Sequence, residues 1–477
     1  MATKKDLVEA YSFSRRRLVT AFVSGAPGGR EVEPARPGRT VVGGLALAVL
    51  LAAGAAIAGV FSPRTPDDWN QPGLLISKET GAAYVITKES DDPDLRPVIN
   101  STSAKLILGS EAEPTLISQD TIDDQHIGAD IGIFGAPASL PTSSLLIDSG
   151  WTACTGSDHG VRVTVTDPPA STPAPGKAVT VMSGGDLYVI AQSAPVDDEE
   201  PGTYAYAVPD TDRTDGLLGE IGSQTTQSAI QVPRRWLLLF PTGGSLDWSS
   251  FDLDRLGKLP SENRLDGPAA DAVIGDLLEV EGDGGFFLLT DSGPATISPF
   301  AAAVYRNIEL PNGKPVEEVT IPSVPGTYGD PILGDVSWPA AKQEPLLSDP
   351  CAQLTAVPGE SPHVDLVGPG DASGATSSEG LDGVDVGDKD QVVAPGRGAY
   401  VLSGDWTDRS SGLPFVIDSK GKVYPLVGQG TADLLGYGDH PVPVVPDTWL
   451  DLFECGVNLS QDAALSPPSE DDRQCGE

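Results

Sequence analysis

The sequence is poor in the residues that build disulfide-rich miniproteins, zinc clusters and nucleic-acid-binding surfaces. Its 477 residues include 4 Cys, 4 His and 2 Met, and 30 Lys and Arg stand against 68 Asp and Glu. So few cysteines in so long a chain exclude a disulfide miniprotein and a zinc-cluster protein. A formal net charge of −38 argues against nucleic-acid binding, because affinity for phosphate groups requires Lys and Arg.

Sequence signatures of common active sites are also missing. The chain has no HExxH zinc motif and no GxSxG nucleophile elbow. The nearest approach to a phosphate-binding loop is GVDVGDK, residues 383–389, which has too few residues between its glycines and an Asp before the Lys. An SxxK match at 419–422 lies in a predicted hairpin turn rather than on a helix. The sequence therefore predicts no catalytic, cofactor-binding or metal-binding residues.

One long uncharged run is present, from Val41 to Phe61. At about 1.5 Å per residue, a helix of this length spans about 31 Å, the thickness of a bilayer core. Residues 1–40 carry eight Lys and Arg against four Asp and Glu, so this end is expected in the cytoplasm. A cleaved signal peptide is the alternative, but its preceding segment is usually short. We therefore expect an uncleaved single-pass plasma-membrane anchor, with residues 67–477 exported.

The N-terminal segment is expected to form a basic amphipathic helix that ends at Gly25. Its apolar residues fall roughly at helical spacing. Tyr11 with Arg15, Arg16 and Arg17 are the predicted partner-docking residues. The helix is expected either to lie on the anionic inner leaflet or to dock a cytoplasmic partner.

The exported region contains a recurring unit. An apolar strand followed by a polar turn and a second strand occurs near Tyr84, Leu187, Phe286 and Phe415. A sharper repetition relates VPRRWLLLFPTGGSL, starting at Val232, to VPDTWLDLFECGVNL, with eight identities at a constant offset of 213. Pro followed by spaced Trp and Leu and then Gly is typical of a helix, whose aromatic residues we expect in the core. Such repetition indicates growth by duplication.

These patterns predict an α+β architecture. An elongated exported region is expected to hold a central, mainly β domain flanked by four short β-hairpin/helix repeats. The expected segments are a cytoplasmic basic segment (1–40), a transmembrane helix (41–61), repeat 1 (67–112), the first segment of the central domain (113–180), repeat 2 with a linker (181–275), repeat 3 (276–319), the second segment of the central domain (320–398) with a flexible loop (356–390), repeat 4 (399–459) and an acidic tail (460–477).

Each of the two central segments contains one cysteine, Cys154 in the first and Cys351 in the second. The economical inference is that a disulfide joins them, since the exported side of a membrane permits disulfides. The bond would close a loop of about 200 residues, worth on the order of 5 kcal/mol in the chain-entropy model. Cys455 and Cys475 either pair locally as a second disulfide or stay free.

The sequence resembles the EccB family, the single-span membrane component of actinobacterial type VII (ESX) secretion systems. The resemblance covers nearly the whole chain. The residues that carry it are YSFSRRRLVTAFVSG (Tyr11–Gly25), RPVINSTSAKLILG (Arg96–Gly109), WTAC (Trp151–Cys154), PGRGAYV (Pro395–Val401) and DSKGKVYPL (Asp418–Leu426).

The resemblance implies a structural subunit with a periplasmic scaffold that contributes to assembly and protein export. Its implied partners are an EccC-like motor ATPase, EccD- and EccE-like membrane subunits and other EccB protomers, with the cell wall as a further candidate and no nucleic acid. It also implies a peptidoglycan-binding-like fold for the four repeats, and a disulfide in the central domain at positions that Cys154 and Cys351 match. The alternatives are an ATP hydrolase, a label that some members carry, and a peptidoglycan-binding anchor. No cofactor is implied.

Overall fold

The computed structural model describes residues 3–24, 47–49, 66, 68–90, 92–110, 112–195, 202–251, 253–262, 265–282, 284–311, 313–326, 338–369 and 381–469. The chain divides into two compact units, Met1–Arg64 and Thr65–Glu477. In the first unit, residues Lys4–Ser24 form one α-helix, which confirms the helix predicted there. Thr3 donates through its backbone N–H and its hydroxyl to the Asp6 carboxylate, which stabilises the first turn.

The predicted membrane span, residues 41–61, lies outside the described residues except for 47–49, which are helical. Of the helices in the described ranges, none combines the length and the apolar character that crossing a bilayer requires.

The described residues of the second unit form many short strands, joined by turns rich in glycine. In chain order the strands are β1 (Gly73–Ser77), β2 (Ala83–Ile86), β3 (Arg96–Pro97), β4 (Thr115–Ile117), β5 (Trp151–Cys154), β6 (Val161–Val165), β7 (Ser171–Pro173), β8 (Lys177–Ser183), β9 (Asp186–Gln192), β10 (Thr203–Val208), β11 (Ile230–Gln231), β12 (Thr242–Ser245), β13 (Leu277–Val280), β14 (Phe286–Thr290), β15 (Gly293–Ile297), β16 (Glu318–Ile321), β17 (Glu344–Pro345), β18 (Cys351–Thr355), β19 (His363–Pro369), β20 (Lys389–Val393), β21 (Ala399–Gly404), β22 (Leu413–Ile417), β23 (Lys422–Pro425), β24 (Val444–Pro446) and β25 (Glu454–Cys455).

Short helices connect these strands. The α-helices of this unit within the described ranges are Ser101–Leu108, Gln119–Asp123, Thr214–Ile221, Arg234–Leu237, Pro299–Asn307, Thr431–Leu435, Asp447–Leu450 and Gln461–Ala464. The mixture of helices and strands confirms the predicted mixed architecture.

Four small sheets share one pattern of strand pairing. Three consecutive strands pair antiparallel, and a later strand adds parallel to the first of the three. The strand orders are β3-β2-β1-β4, β11-β8-β9-β10-β12, β15-β14-β13-β16 and β24-β21-β22-β23-β25, and β17 also pairs with β8. The second and fourth sheets carry one further parallel strand beside the third of the three. The same small fold therefore recurs within the described ranges of the chain.

The strands predicted from the apolar runs are β2, β9, β14 and β22, and each is the middle strand of its three-stranded unit. The turns predicted at Asp291–Gly293 and Asp418–Gly421 are confirmed, since they connect β14 to β15 and β22 to β23. Gly421 has φ +76°, a conformation that glycine adopts without strain. The Asp418 carboxylate accepts the N–H groups of Lys420 and Lys422 and holds this turn closed.

A fifth sheet has the order β20-β6-β5-β18-β19-β7. Its strands come from two stretches, 151–173 and 351–393, which are brought together by pairing of β5 with β18 and of β6 with β20. Val161, Val163 and Val165 are fully buried on one side of β6. The core beneath this sheet also contains Trp151, Trp236 and Trp449, none of which is exposed to solvent.

The prediction of a flexible loop over residues 356–390 is wrong for residues 363–369. These residues form strand β19, which pairs with β18 on one edge and with β7 on the other. The segment was predicted to be a loop because it is rich in Gly and Asp. It contains a short run in which Val364 and Leu366 alternate with polar residues, and both side chains are buried. Burial of these two side chains against the core favours a strand here over a loop. Residues 370–380 lie outside the described ranges.

Candidate functional site

The centre of the fifth sheet contains a disulfide. Cys154 ends β5, Cys351 begins β18, and the two residues are direct partners in the antiparallel register. Their Cα atoms are 4.0 Å apart and their sulfurs are bonded at 2.03 Å. The bond joins residues that are 197 positions apart in the sequence, so it covalently links the two stretches that form the sheet. The pairing of Cys455 with Cys475 falls outside the described residues, because Cys475 is not among them.

The two duplicated blocks pack against this central sheet. Each forms a four-residue helix directly after a proline, at Arg234–Leu237 and at Asp447–Leu450. The Trp236 indole N–H donates to the Ala153 carbonyl at 2.9 Å. Phe453 lies edge-on to Trp151 with ring centroids 5.4 Å apart. The aromatic residues of both blocks are therefore core residues, as predicted.

A half-buried hydrogen-bonded pair links the first central stretch to the segment after the Thr431–Leu435 helix. Asp148 Oδ2 lies 2.5 Å from His440 Nε2, and Asp148 Oδ1 accepts the Tyr400 N–H at 2.7 Å. Tyr437 stacks on Tyr400, and its hydroxyl donates to the Pro141 carbonyl at 2.6 Å. Burial raises the pKa of the Asp148 carboxyl, and the hydrogen bond from His440 opposes this shift. Sequence analysis missed this pair, since 292 positions separate its members.

The N-terminal helix presents its predicted docking residues to solvent. Tyr11 is 74% exposed, and Arg15, Arg16 and Arg17 are all exposed. Leu18 and Phe22, seven and eleven positions after Tyr11, fall on the same face and are also exposed. The helix therefore combines an apolar stripe with adjacent positive charge, which is chemistry suited to a protein partner or an anionic lipid surface.

The two motif-like stretches set aside in the sequence lie in turns of the described ranges. In those ranges no group of three or more His, Cys, Asp and Glu side chains is placed to hold a metal ion. The 383–389 stretch is a turn that leads into β20, and Lys389 Nζ donates to the backbone carbonyls of Asp451 and Phe453. The SxxK match lies in the β22–β23 turn.

The four similar sheets and the disulfide-linked central sheet define the class to which the chain belongs. The chain is a modular protein in which small sheets of one topology accompany a central sheet that a disulfide closes. A family model described as "Type VII secretion system ESX-1, transport TM domain B" matches residues 1–468, and the chain therefore belongs to this EccB family.

Curated relatives from Mycobacterium tuberculosis match over almost the same extent. The protein named ESX-3 secretion system ATPase EccB3 is 27% identical over 91% of this chain and 84% of its own length. The protein named ESX-1 secretion system ATPase EccB1 is 26% identical over 97% of this chain and 94% of its own length.

Solved structures share the fold. A chain in the structure of the EccB3 dimer from the ESX-3 core complex superposes with a TM-score of 0.61 at 20% identity, covering 83% of this chain and 100% of that one. A chain in an intact ESX-5 inner membrane complex gives a TM-score of 0.59 at 22% identity, covering 100% of this chain and 98% of that one.

Proposed function

We propose that this chain is a membrane-anchored structural subunit of a type VII secretion complex, with a scaffold outside the cytoplasm that supports assembly and protein export. The observation that carries this proposal is the family match, which runs from the N-terminal helix through the last described sheet. Chains of the same fold occur in an ESX-5 inner membrane complex and in an EccB3 dimer. A covalently closed central sheet suits a subunit that must hold its shape within a larger assembly.

The proposed topology has one transmembrane helix at residues 41–61, the N-terminus in the cytoplasm and residues 67–477 exported. The basic charge of residues 1–40 supports this orientation. The Cys154–Cys351 disulfide also supports it, because disulfides persist in oxidising compartments. The exported region is proposed to keep the order of segments given above, with changed bounds. Strand β4 pairs with β1 of repeat 1 and β8 begins repeat 2 at Lys177, so the proposed central domain is built from the stretches 151–173 and 351–393.

Labelling with a membrane-impermeant maleimide tests this topology in intact cells. Ser12 and Ser410 are both exposed, so Ser12→Cys and Ser410→Cys place a reactive thiol on either side of the proposed span. We expect labelling of the Ser410→Cys chain only, with both labelled after the membrane is opened. Labelling of Ser12→Cys in intact cells would reject the orientation.

The proposed partners are an EccC-like motor ATPase, EccD- and EccE-like membrane subunits and other copies of this chain. We propose that the face of the N-terminal helix formed by Tyr11, Leu18 and Phe22, with Arg15–Arg17 beside it, docks a cytoplasmic region of these partners. Removing the apolar side chains would remove the surface that the partner buries.

Affinity purification of the full chain from membranes tests the docking proposal. Tyr11→Ala combined with Leu18→Ala should reduce the recovered motor ATPase about tenfold or more, since two such anchors together contribute more than about 2 kcal/mol. Ser12→Ala is the matched control, because Ser12 is exposed on the same helix but lies beside that face rather than on it. Undiminished recovery with the double variant would reject the docking role.

A second candidate function is ATP hydrolysis, which the names of both curated relatives favour. Phosphate release by the purified full chain, compared with a heat-inactivated sample, decides between the two. The structural proposal expects no turnover above the inactivated sample, and sustained turnover would favour the second candidate.

A further inference from the structure

A polar cleft of about 520 Å³ opens where the edge of the central sheet meets the first duplicated helix. Strands β6 and β20 supply Arg162, Lys389 and Asp390, the turn before β20 supplies Asp388, and the helix Arg234–Leu237 supplies Arg235. Three cations therefore converge on one opening of a chain whose formal net charge is −38.

Arg235 is the least satisfied of these groups. Trp236, its neighbour in the helix, is anchored in the core by its hydrogen bond to Ala153, which fixes the direction from which Arg235 reaches the cleft. Arg235 is half-buried, yet no carboxylate among the described residues lies within ion-pair distance of its guanidinium. A guanidinium without a counter-ion in a partly desolvated position leaves its hydrogen-bond donors available to a ligand.

The other two cations are held in place but not fully neutralised. Arg162 Nε bonds to Asp390 Oδ2 at 2.6 Å, which leaves its terminal nitrogens available. Lys389 Nζ donates to the carbonyls of Asp451 and Phe453. Burial lowers the pKa of Lys389 and the positive charge of Arg235 lowers it further, while the Asp451 and Glu454 carboxylates act in the opposite sense. Two like charges thus face each other across the cleft.

The charges that line the cleft indicate the ligand. Among the side chains that line the cleft, three cations stand against Asp388 and Asp390, and Asp451 and Glu454 act on Lys389 from beside it. A phosphate dianion would therefore meet four carboxylates, whereas a singly charged carboxylate can pair with Arg235 alone. We propose that this cleft binds a side-chain carboxylate of an acidic peptide segment, with Arg235 as its main contact. The occupant is the chain's own acidic tail, in which Glu470, Asp471 and Asp472 follow the last described residue.

Calorimetric titration of the purified full chain tests the site. The probe is the tetrapeptide Ser-Glu-Asp-Asp, which has the sequence of residues 469–472, and its amide analogue Ser-Gln-Asn-Asn is the negative probe. Arg235→Gln should weaken binding of the acidic peptide about tenfold or more, because it removes a charge-assisted contact. Arg234→Gln is the matched control, since Arg234 is exposed on the same helix and does not line the cleft.

A parallel titration uses a chain that ends at Ser469 and carries Cys455→Ser, so that no thiol is left unpaired by the truncation. Tighter binding to this chain than to the full chain identifies the tail as the natural occupant, and equal binding rejects the tail in favour of a separate polypeptide. The proposal is overturned if neither chain binds the acidic peptide, if the amide analogue binds equally well, or if Arg234→Gln and Arg235→Gln have the same effect. None of these outcomes bears on the secretion role.

Discussion

The two duplicated blocks, Val232–Leu246 and Val445–Leu459, have eight identities but different surroundings. In both, a short helix follows a proline and buries its tryptophan completely. The Trp236 indole N–H donates to the Ala153 carbonyl, whereas the Trp449 indole N–H has no hydrogen-bond partner among the described residues. The shared local sequence thus accounts for the helix and for burial, while the neighbouring element decides whether the buried polar group is satisfied.

The blocks also share a close contact between a glycine and a tyrosine. A Cβ atom on Gly243 would lie 2.2 Å from the Tyr206 ring, and one on Gly456 would lie 2.3 Å from the Tyr424 ring. In each sheet this glycine lies at the parallel strand that adds beside the third strand. The steric requirement is therefore shared by the two units that carry this extra parallel strand.

The largest effect is expected from removing the disulfide, because both blocks pack on the sheet that it closes. Cys154→Ser with Cys351→Ser should lower the free energy of unfolding by about 2–5 kcal/mol, since the unfolded chain is freed of a long loop constraint. Chemical denaturation followed by tryptophan fluorescence measures this change. Reductant should destabilise the unmodified chain more than the double variant, and equal stability of the two chains without reductant would contradict the assigned role.

The glycine contacts test whether the two repeated units obey the same steric rule. Gly243→Ala and Gly456→Ala should each lower the free energy of unfolding by about 1–3 kcal/mol, because the buried tyrosine ring must move. Gly219→Ala is the matched control: Gly219 is exposed in a helix with open space around its Cα, so alanine should stabilise by up to about 1 kcal/mol. Thermal unfolding compares the three variants, and a tolerated alanine at 243 with a disruptive one at 456 would break the equivalence.

The tryptophans test how the blocks differ. Trp236→Phe and Trp449→Phe create similar cavities, but only Trp236→Phe loses a hydrogen bond. Trp236→Phe should therefore lower the free energy of unfolding by about 1 kcal/mol more than Trp449→Phe does. Equilibrium denaturation of the two variants gives this difference. Equal losses would mean that the Trp236–Ala153 hydrogen bond contributes nothing to stability.

The smallest effect concerns pH and the Asp148–His440 pair, whose histidine lies five residues before the second block in the sequence. The pKa of Asp148 is raised in the folded state, so its contribution to stability is present below its unfolded value of about 3.9 and is lost as the pH rises through the raised value. Relative to Asp148→Asn, the unmodified chain should therefore lose stability, by less than about 1 kcal/mol, as the pH rises above about 4.

Denaturation of the unmodified chain and of Asp148→Asn across this pH range shows whether their difference in stability falls or rises with pH. A His440→Gln background removes the imidazole as a second titrating group, and Asp439→Asn, at an exposed neighbouring position, should leave the pH profile unchanged. A gain in stability of the unmodified chain over Asp148→Asn with rising pH would contradict the account.

Local patterns made much of this fold predictable. The middle strands and their hairpins were found because apolar runs and Asp–Gly turns act over a few residues. The added parallel strands were missed, because pairing such as β21 with β24 joins residues about 40 positions apart and leaves no local pattern. The first strand of each unit was missed although it pairs antiparallel with the next strand in the chain.

The sites were less predictable than the fold. Arg162, Arg235 and Lys389 are far apart in the sequence, and the 383–389 turn stands out in the sequence only because it fails as a phosphate-binding loop. Asp148 and His440 meet through packing of separate segments. By contrast, the pairing of Cys154 with Cys351 could be inferred because each central stretch contains only one cysteine.

The central claim is that this chain works within a membrane complex. Mild-detergent extraction of native membranes, followed by native electrophoresis and mass spectrometry of the band that contains the chain, tests it directly. We expect most of the chain to migrate in a large complex together with a membrane ATPase and a multi-spanning subunit. Recovery of the chain as a free monomer, or in the soluble fraction of unextracted cells, would contradict it.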